Sequence, residues 1–123
     1  MQKTPIVIHE RDIPRTDVAN SPGAVIQVLL GPEQDMPRFY TRMFTLAPGA
    51  SIARHGHDTI EHEQVMLEGR MKLTVGDAVF IVEPGHAMYL PPGVAHSYEN
   101  VGDTPVRFIC CIPSGIPYTT DFF

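Results

Sequence analysis

Proline and glycine interrupt this chain so often that long helices have no room to form. There are 12 prolines and 10 glycines in 123 residues, and no segment keeps a helical spacing of apolar residues for three turns. Between the interruptions lie short runs rich in β-branched and aromatic residues, among them "AVIQVLL", "AVFIV" and "VRFICCI". This spacing predicts an all-β sandwich or barrel built from hairpins. "MKLTV-GD-AVFIV" predicts a hairpin with a two-residue turn.

The length fits one domain flanked by two segments of different character. We expect an extended N-terminal arm over residues 1–22, which is rich in charge and proline, then a barrel over 23–113. Residues 114–123 form a tail that ends in two phenylalanines. We expect this aromatic end to pack on its own barrel or on a second subunit.

Charge and cysteine content narrow the class of protein further. The net charge of −5 and the lack of a Lys/Arg run argue against partners such as nucleic acids or anionic membranes. No stretch of eighteen apolar residues or signal-like segment is present, so we expect a cytoplasmic protein. The two cysteines, Cys110 and Cys111, are adjacent and point to opposite faces of a strand, which excludes an intrachain disulfide framework and agrees with a reducing compartment.

Potential metal ligands are concentrated in residues 55–63, which read "HGHDTIEHE". His55 and His57 are two apart, so a strand presents both imidazoles on one face. If the next run is also a strand, His62 shares a face with Gln64 and Met66, and the glutamates take the other face. His96 follows a Pro-Pro-Gly turn and is a fourth candidate, whereas we interpret His9 and His86 as ordinary surface or hydrogen-bonded residues.

Two longer patterns around these histidines resemble the two motifs of the cupin superfamily. "GASIARHGHDTIEHEQVMLEG" resembles the first motif, and "GHAMYLPPGVAHSYEN" matches the second completely, with Gly85, Pro91, Gly93, His96 and Asn100 in register. The resemblance implies an antiparallel jelly-roll barrel that holds one divalent metal ion and usually forms a homodimer. It also implies the ligands: His55, His57, the acidic position of the first motif, and His96.

At the acidic position this chain departs from the cupin pattern. If six residues separate this position from Gly69, it is His62, whereas if three residues separate it from His57, it is Glu61. We favour His62, because the distance to Gly69 fixes the strand register and a one-residue slip turns every side chain over. Some small bacterial and archaeal cupins carry a histidine here, and their metal is often manganese.

Four neutral imidazoles leave the full +2 charge of the metal uncompensated, which favours an anionic ligand. Manganese or iron is implied by the resemblance alone, and an all-histidine site also suits zinc, nickel and copper. Arg42 is expected either to clamp a substrate carboxylate or, like Arg38, to lie on the surface. Gln64 and Tyr98 are expected to line the pocket. Cys110 is expected either to approach the metal or to serve as plain packing.

These features predict a metal-dependent oxidoreductase, dioxygenase-like, that acts on an anionic or enolisable small molecule. No dedicated general base lies within the motifs, which favours redox chemistry over proton transfer. The alternatives are a metal-dependent isomerase, epimerase or lyase of sugar-acid type, and a non-catalytic cupin that binds a small ligand. Fold resemblance does not choose among these functions.

Overall fold

The computed structural model of the protein describes residues 4–123, and nearly all of its regular structure is β-strand. The eleven strands of this part of the chain are β1 (Thr16–Asp17), β2 (Ala24–Leu30), β3 (Phe39–Leu46), β4 (Ser51–His57), β5 (His62–Glu68), β6 (Met71–Val75), β7 (Ala78–Val82), β8 (Ala87–Leu90), β9 (His96–Asn100), β10 (Val106–Pro113) and β11 (Thr120–Phe122). Two 3₁₀ turns cover Glu10–Asp12 and Pro32–Gln34. No helix of residues 4–123 is long and apolar enough to cross a membrane.

The strands form two antiparallel sheets that enclose one interior. The first has six strands in the order β1-β2-β3-β10-β5-β8, and the second has five in the order β11-β4-β9-β6-β7. The all-β architecture predicted from the spacing of prolines and glycines is confirmed, and so is the antiparallel jelly-roll that the resemblance to cupins implies. The predicted hairpin is also present: β6 pairs with β7 from Met71↔Val82 to Val75↔Ala78, around a turn at Gly76 with φ +58°.

Gly69 fixes the register of the strand that carries His62. It lies between β5 and β6 with φ +84°, and a Cβ atom there would stand 2.5 Å from the carbonyl oxygen of Pro105. No other residue fits this backbone without displacing its neighbours. With Gly69 in place, β5 alternates strictly, and it buries His62, Gln64 and Met66 while exposing the residues between them.

The barrel interior changes in character along its axis. At one end the inward side chains are apolar, and Leu46, Met71 and Val106 are fully buried. In the middle, Phe108 stacks between Phe44 and Tyr98, with ring centroids 5.1 Å from each. At the other end the strands that continue these rows carry polar side chains, and this end forms the candidate site.

Both flanking segments are attached to the barrel. The described part of the arm, which excludes residues 1–3, is tied down by Gln27, whose side chain donates to the carbonyls of Glu10 and Ile13. An ion pair between Arg107 and Glu10 adds a second tether. In the tail, β11 pairs with β4, with Phe122 opposite His55. The tail therefore packs on its own barrel, which is one of the two arrangements expected from the sequence. The boundaries of the arm, the barrel and the tail remain predictions.

Candidate metal centre

Three strands from the two sheets bring four histidines to the polar end of the barrel. β4 supplies His55 and His57 from one face, β9 supplies His96, and β5 supplies His62 from the opposite sheet. His55 and His96 are direct partners across β4 and β9, with ring centroids 4.3 Å apart. The alternation of side chains along each strand places all four on the inner face.

Three of the four histidine rings form a close group, and the fourth lies next to it. One ring nitrogen from each of His55, His57 and His96 lies within 4.8 Å of the others, which is the spacing of ligands around a single ion. His62 stands outside this group of three but beside it. Its ring centroid is 5.1 Å from that of His57 and 5.1 Å from that of His96.

Each of the four histidines is held from behind through its Nδ1 atom. His55 Nδ1 donates to the Ala53 carbonyl at 2.6 Å, and His96 Nδ1 donates to the Val94 carbonyl at 3.1 Å. Because carbonyls only accept, both rings carry their proton on Nδ1 and leave an unprotonated Nε2. The remaining two contacts are from His57 Nδ1 to Thr120 Oγ1 at 3.1 Å and from His62 Nδ1 to Cys110 Sγ at 3.3 Å. Such outer contacts orient the histidines that bind metals in proteins.

The opposite nitrogens fit a metal ion. His62 Nε2 and His96 Nε2 are both buried and have no hydrogen-bond partner among the described residues. A buried polar atom without a partner is costly in free energy unless a ligand satisfies it. A neutral imidazole nitrogen is a common ligand for divalent transition metals. The donor set therefore suits a metal ion better than it suits an empty polar pocket.

Burial keeps these imidazoles in the neutral form that a metal requires. Desolvation is the main cause that lowers the pKa of His62 to about 2, and the positive charge of Arg42 adds to it. Desolvation also lowers the pKa of His57 and of His96 to about 4. The pKa of His55 is lowered by desolvation as well, against an opposing hydrogen bond to Ala53. Below neutral pH, these four sites therefore resist protonation.

Glu61, the rival of His62, lies outside the barrel. Its side chain is exposed, and its Oε2 accepts a hydrogen bond from the Tyr89 hydroxyl at 2.7 Å. His62 is 3% exposed and faces the other histidines. Glu61 immediately precedes β5, which begins with the buried His62, so the structure exposes the first of the two neighbours and buries the second, as the count from Gly69 predicts.

The four other residues expected near the site lie together beside the histidines: Arg42, Gln64, Tyr98 and Cys110. The sulfur of Cys110 is their common point: Arg42 Nη2 lies 3.1 Å from it and Gln64 Nε2 lies 3.3 Å from it. Gln64 Nε2 also donates to the Tyr98 hydroxyl at 2.7 Å. Arg42 is therefore not a free surface charge, and Cys110 is not plain apolar packing, since its thiol also contacts His62.

Polar atoms in this group remain available to a ligand. Gln64 Oε1 and Arg42 Nε are buried without a hydrogen-bond partner among residues 4–123. The Arg42 guanidinium also lies over the Phe44 ring, 5.3 Å from its centroid. Its charge lowers the pKa of all four histidines after the larger effect of desolvation, so it lies close enough to act on a ligand bound among them.

The two histidines set aside in the sequence are distant from this group and have local roles. His9 Nδ1 accepts a hydrogen bond from the Arg11 backbone N–H and caps the first 3₁₀ turn. His86 Nδ1 accepts one from the Glu83 backbone N–H in the turn before β8. The Nδ1 atoms of both histidines therefore already accept hydrogen bonds from backbone N–H groups in turns.

A cavity of about 230 Å³ joins the histidines to the surface. Its deep part is lined by the residues described above and by the buried Ile52, which we did not predict. Its rim contains residues that we did not predict from the sequence: Asp17, Val18, Ala19, Ile26, Phe44, Tyr118, Thr120 and Phe122. The one available signal was the alternation of Tyr118, Thr120 and Phe122, which places the three on one face of a strand.

Comparisons with known proteins place these features in a family. The model of the "Cupin domain" family matches residues 42–112, which include all four histidines. An uncharacterized protein of Methanocaldococcus jannaschii, MJ1618, is 32% identical over 90 residues, which are 72% of each chain. The chain also matches the mannose-1-phosphate guanylyltransferase RfbM of Salmonella typhimurium, at 31% identity over 72 residues, but these are 58% of this chain and only 15% of that protein.

Solved structures share the fold over almost the whole chain. The polyketide cyclase RemF from Streptomyces resistomycificus superposes with a TM-score of 0.85 at 24% identity, over 97% of this chain and 85% of that one. A sugar phosphate isomerase from Silicibacter pomeroyi superposes with a TM-score of 0.81 at 21% identity, over 96% of this chain and 82% of that one. These two proteins are named for different activities, and at these identities the likeness concerns the fold.

Proposed function

The chain belongs to the cupin domain family, and we propose that it binds one divalent metal ion through His55, His57, His62 and His96. Manganese or iron is our first choice, with zinc, nickel or copper as further ions that imidazole ligands accept. The observation that carries the proposal is the shared orientation of the four rings. Each is held through Nδ1 from outside, and the two most deeply buried rings have an Nε2 without a partner.

We propose further that the protein is an oxidoreductase, dioxygenase-like, that acts on an anionic or enolisable small molecule. A manganese or iron ion in this site supplies a Lewis acid and a redox-active centre. Arg42 contributes a positive charge toward the bound anion, and Gln64 Oε1 is free to accept a hydrogen bond from it. Among the described residues that line the cavity, Asp17 is the one carboxylate, and it lies exposed at the rim. This scarcity of proton acceptors favours redox chemistry over an isomerase, epimerase or lyase reaction on a sugar acid.

Metal analysis of protein purified without added metal tests the first part of the proposal. We expect close to one ion per chain in the parent and a large loss in His62→Ala. Glu61→Ala is the matched control, because Glu61 immediately precedes His62 and is exposed; this variant should retain the metal. Full occupancy in His62→Ala would contradict the four-histidine site.

Oxygen uptake by the metal-loaded protein tests the second part. A screen of small carboxylates and dicarbonyls should find a compound that consumes oxygen stoichiometrically with its own loss. Turnover without oxygen would instead support the isomerase or lyase alternative. Tight binding without any turnover would support a non-catalytic cupin.

We also propose that the protein is a cytoplasmic homodimer. The support is β7, an edge strand of the five-stranded sheet, which exposes Val79, Phe80 and Ile81 side by side. An exposed apolar edge strand is a ready surface for pairing with another chain. Sedimentation analysis of the parent and of Phe80→Lys tests this, since the dimer should become a monomer in the variant.

A further inference from the structure

We propose that the cavity selects a monoanion with an apolar, ring-sized body, and that the C-terminal strand β11 and the residues before it build the part that recognises this body. The inference rests on the proposed function, because it concerns the ligand of the same metal site. The cavity carries it, since the buried residues of its lining are mostly polar, whereas the exposed residues of its lining include the aromatic rings of Tyr118 and Phe122.

The deep half is suited to one anionic head group. The four polar side chains around the histidines, Arg42, Gln64, Tyr98 and Cys110, share few spare hydrogen-bonding atoms, because Gln64 Nε2 is already used by Tyr98 and Cys110. The spare atoms are Gln64 Oε1 and Arg42 Nε. One cation with a partly unused guanidinium, next to a divalent ion, fits a carboxylate or an enolate.

The rim is suited to an apolar body. Phe44 stacks on Phe108 and so is fixed in place. Across the opening, the Phe122 ring lies 6.1 Å from that of His55, and the Tyr118 ring lies 5.2 Å from that of His57. Phe122 and Tyr118 are 47% and 44% exposed, so both have apolar surface that a ligand would cover. Val18 and Ile26 complete the apolar wall on the side of the arm.

The same rim disfavours polyhydroxylated ligands. The polar side chains there are Asp17, Thr120 and the Tyr118 hydroxyl, and the Thr120 hydroxyl is engaged by His57. Sugar hydroxyls that entered the apolar wall would lose hydrogen bonds to water without replacement. A second anionic group at the outer end would meet the carboxylate of Asp17. The rim therefore also disfavours dicarboxylates that extend to the opening.

Three 2-oxo acids that share one head group separate these ligand classes. The probes are pyruvate, phenylpyruvate and 2-keto-3-deoxygluconate, and each is titrated calorimetrically into the full-length, Mn²⁺-loaded protein. We expect phenylpyruvate to bind roughly ten- to a hundredfold more tightly than pyruvate, as burial of a ring allows. We expect 2-keto-3-deoxygluconate to bind no more tightly than pyruvate. Equal affinity for pyruvate and phenylpyruvate, a preference for the sugar acid, or no binding of any probe would each overturn the inference.

Two variants assign the recognition to the C-terminal segment. Phe122→Ala should lower the ratio of phenylpyruvate to pyruvate affinity at least threefold. Phe123→Ala is the matched control, because its ring is 73% exposed and does not line the cavity; its ratio should equal that of the parent. An unchanged ratio in Phe122→Ala would contradict the assignment.

Calorimetric titration of metal ions into the metal-free protein distinguishes a failure of this inference from a failure of the proposed function. If the protein binds none of the ions Mn²⁺, Fe²⁺, Zn²⁺, Ni²⁺ and Cu²⁺, the proposed metal site is wrong. If it binds Mn²⁺ and pyruvate but does not discriminate the ring, only the inference about the ligand body is wrong.

Discussion

The two ends of the barrel interior are built from the same strands but meet opposite requirements. At the apolar end, Leu46 and Val106 are fully buried and bring no polar side-chain atom that needs a partner. At the histidine end, buried nitrogens and an amide oxygen lack hydrogen-bond partners among residues 4–123, and the pKa values of the imidazoles are lowered by desolvation. The apolar end therefore stabilises the fold, while the histidine end retains unfavourable burial that a ligand can relieve.

The stacked rings of Phe44, Phe108 and Tyr98 lie between the apolar end and the histidine end of the interior. Phe108 touches the apolar core on one side, and its neighbour Tyr98 bonds to Gln64 on the other. Complete burial raises the pKa of Tyr98, so its hydroxyl stays protonated. Substitutions on the two sides of this stack should consequently differ in what they damage.

The largest effect on stability is expected at Phe108. Phe108→Ala removes a fully buried ring that stacks on two others, and it should lower the free energy of unfolding by about 3–5 kcal/mol. Urea unfolding of the metal-free protein measures this. Phe39→Ala, at a phenylalanine 60% exposed on β3, should change it by less than about 1 kcal/mol. Similar losses in both variants would show that the stack is not a centre of stability.

A smaller effect, on metal affinity alone, is expected at Thr120. Thr120→Val removes the hydroxyl that meets His57 Nδ1 and should weaken Mn²⁺ binding about tenfold, the lower end of the range for residues that orient a metal ligand. Thr120 is exposed, so water replaces part of the lost contact. Thr120→Ser keeps the hydroxyl and should restore the parent affinity, measured by competition with a chelator. Failure of serine to restore affinity would mean that the hydroxyl does not position His57.

The pH dependence of stability provides a third contrast between the two ends. The pKa of His62 is about 2 in the folded protein, against an ordinary value of 6.5. Below pH 6.5 the unfolded chain therefore binds a proton at this position that the folded protein does not, and stability falls as the pH falls. The contribution is up to about 1.4 kcal/mol per pH unit.

His62→Leu tests this contribution in the metal-free protein. At pH 7 the variant should be within about 1 kcal/mol of the parent, because the lost contact with Cys110 is offset by removal of an unpartnered nitrogen. Between pH 7 and pH 5 its stability should fall less steeply than that of the parent. Parallel curves from urea unfolding at several pH values would contradict the buried, neutral state of His62.

The inner face of each strand and the histidine group were predictable because they follow from local rules. Alternation along a strand places His55 with His57 and His62 with Gln64, whatever the details of packing. The register of β5 was predictable from Gly69, because its close approach to Pro105 leaves no freedom for a slip. The resemblance to the cupin motifs then joined the two segments across the fold.

The rim of the cavity was not predictable, because it depends on contacts between the ends of the chain and the barrel. Thr120 meets His57 only because the tail returns to pair with β4, and a short polar segment after a proline gives no sign of its partner strand. The contact between Cys110 and Arg42 depends on the register of β3 against β10, for which the sequence held no marker. Long-range pairing, rather than local propensity, decided these positions.

The smallest effects are expected at Glu61, the exposed residue that immediately precedes β5 and His62. The hydrogen bond to the Glu61 carboxylate is the main cause that raises the pKa of Tyr89. Glu61→Gln should therefore lower this pKa toward its ordinary value, which an ultraviolet titration of tyrosinate absorbance measures. Since Glu61 and Tyr89 both face solvent, Mn²⁺ affinity should not change in the variant. We expect the Tyr89 titration curve of the parent to be identical with and without Mn²⁺, because Glu61 stays outside the barrel. A shift of this curve on addition of Mn²⁺ would show that Glu61 moves inward to bind the ion.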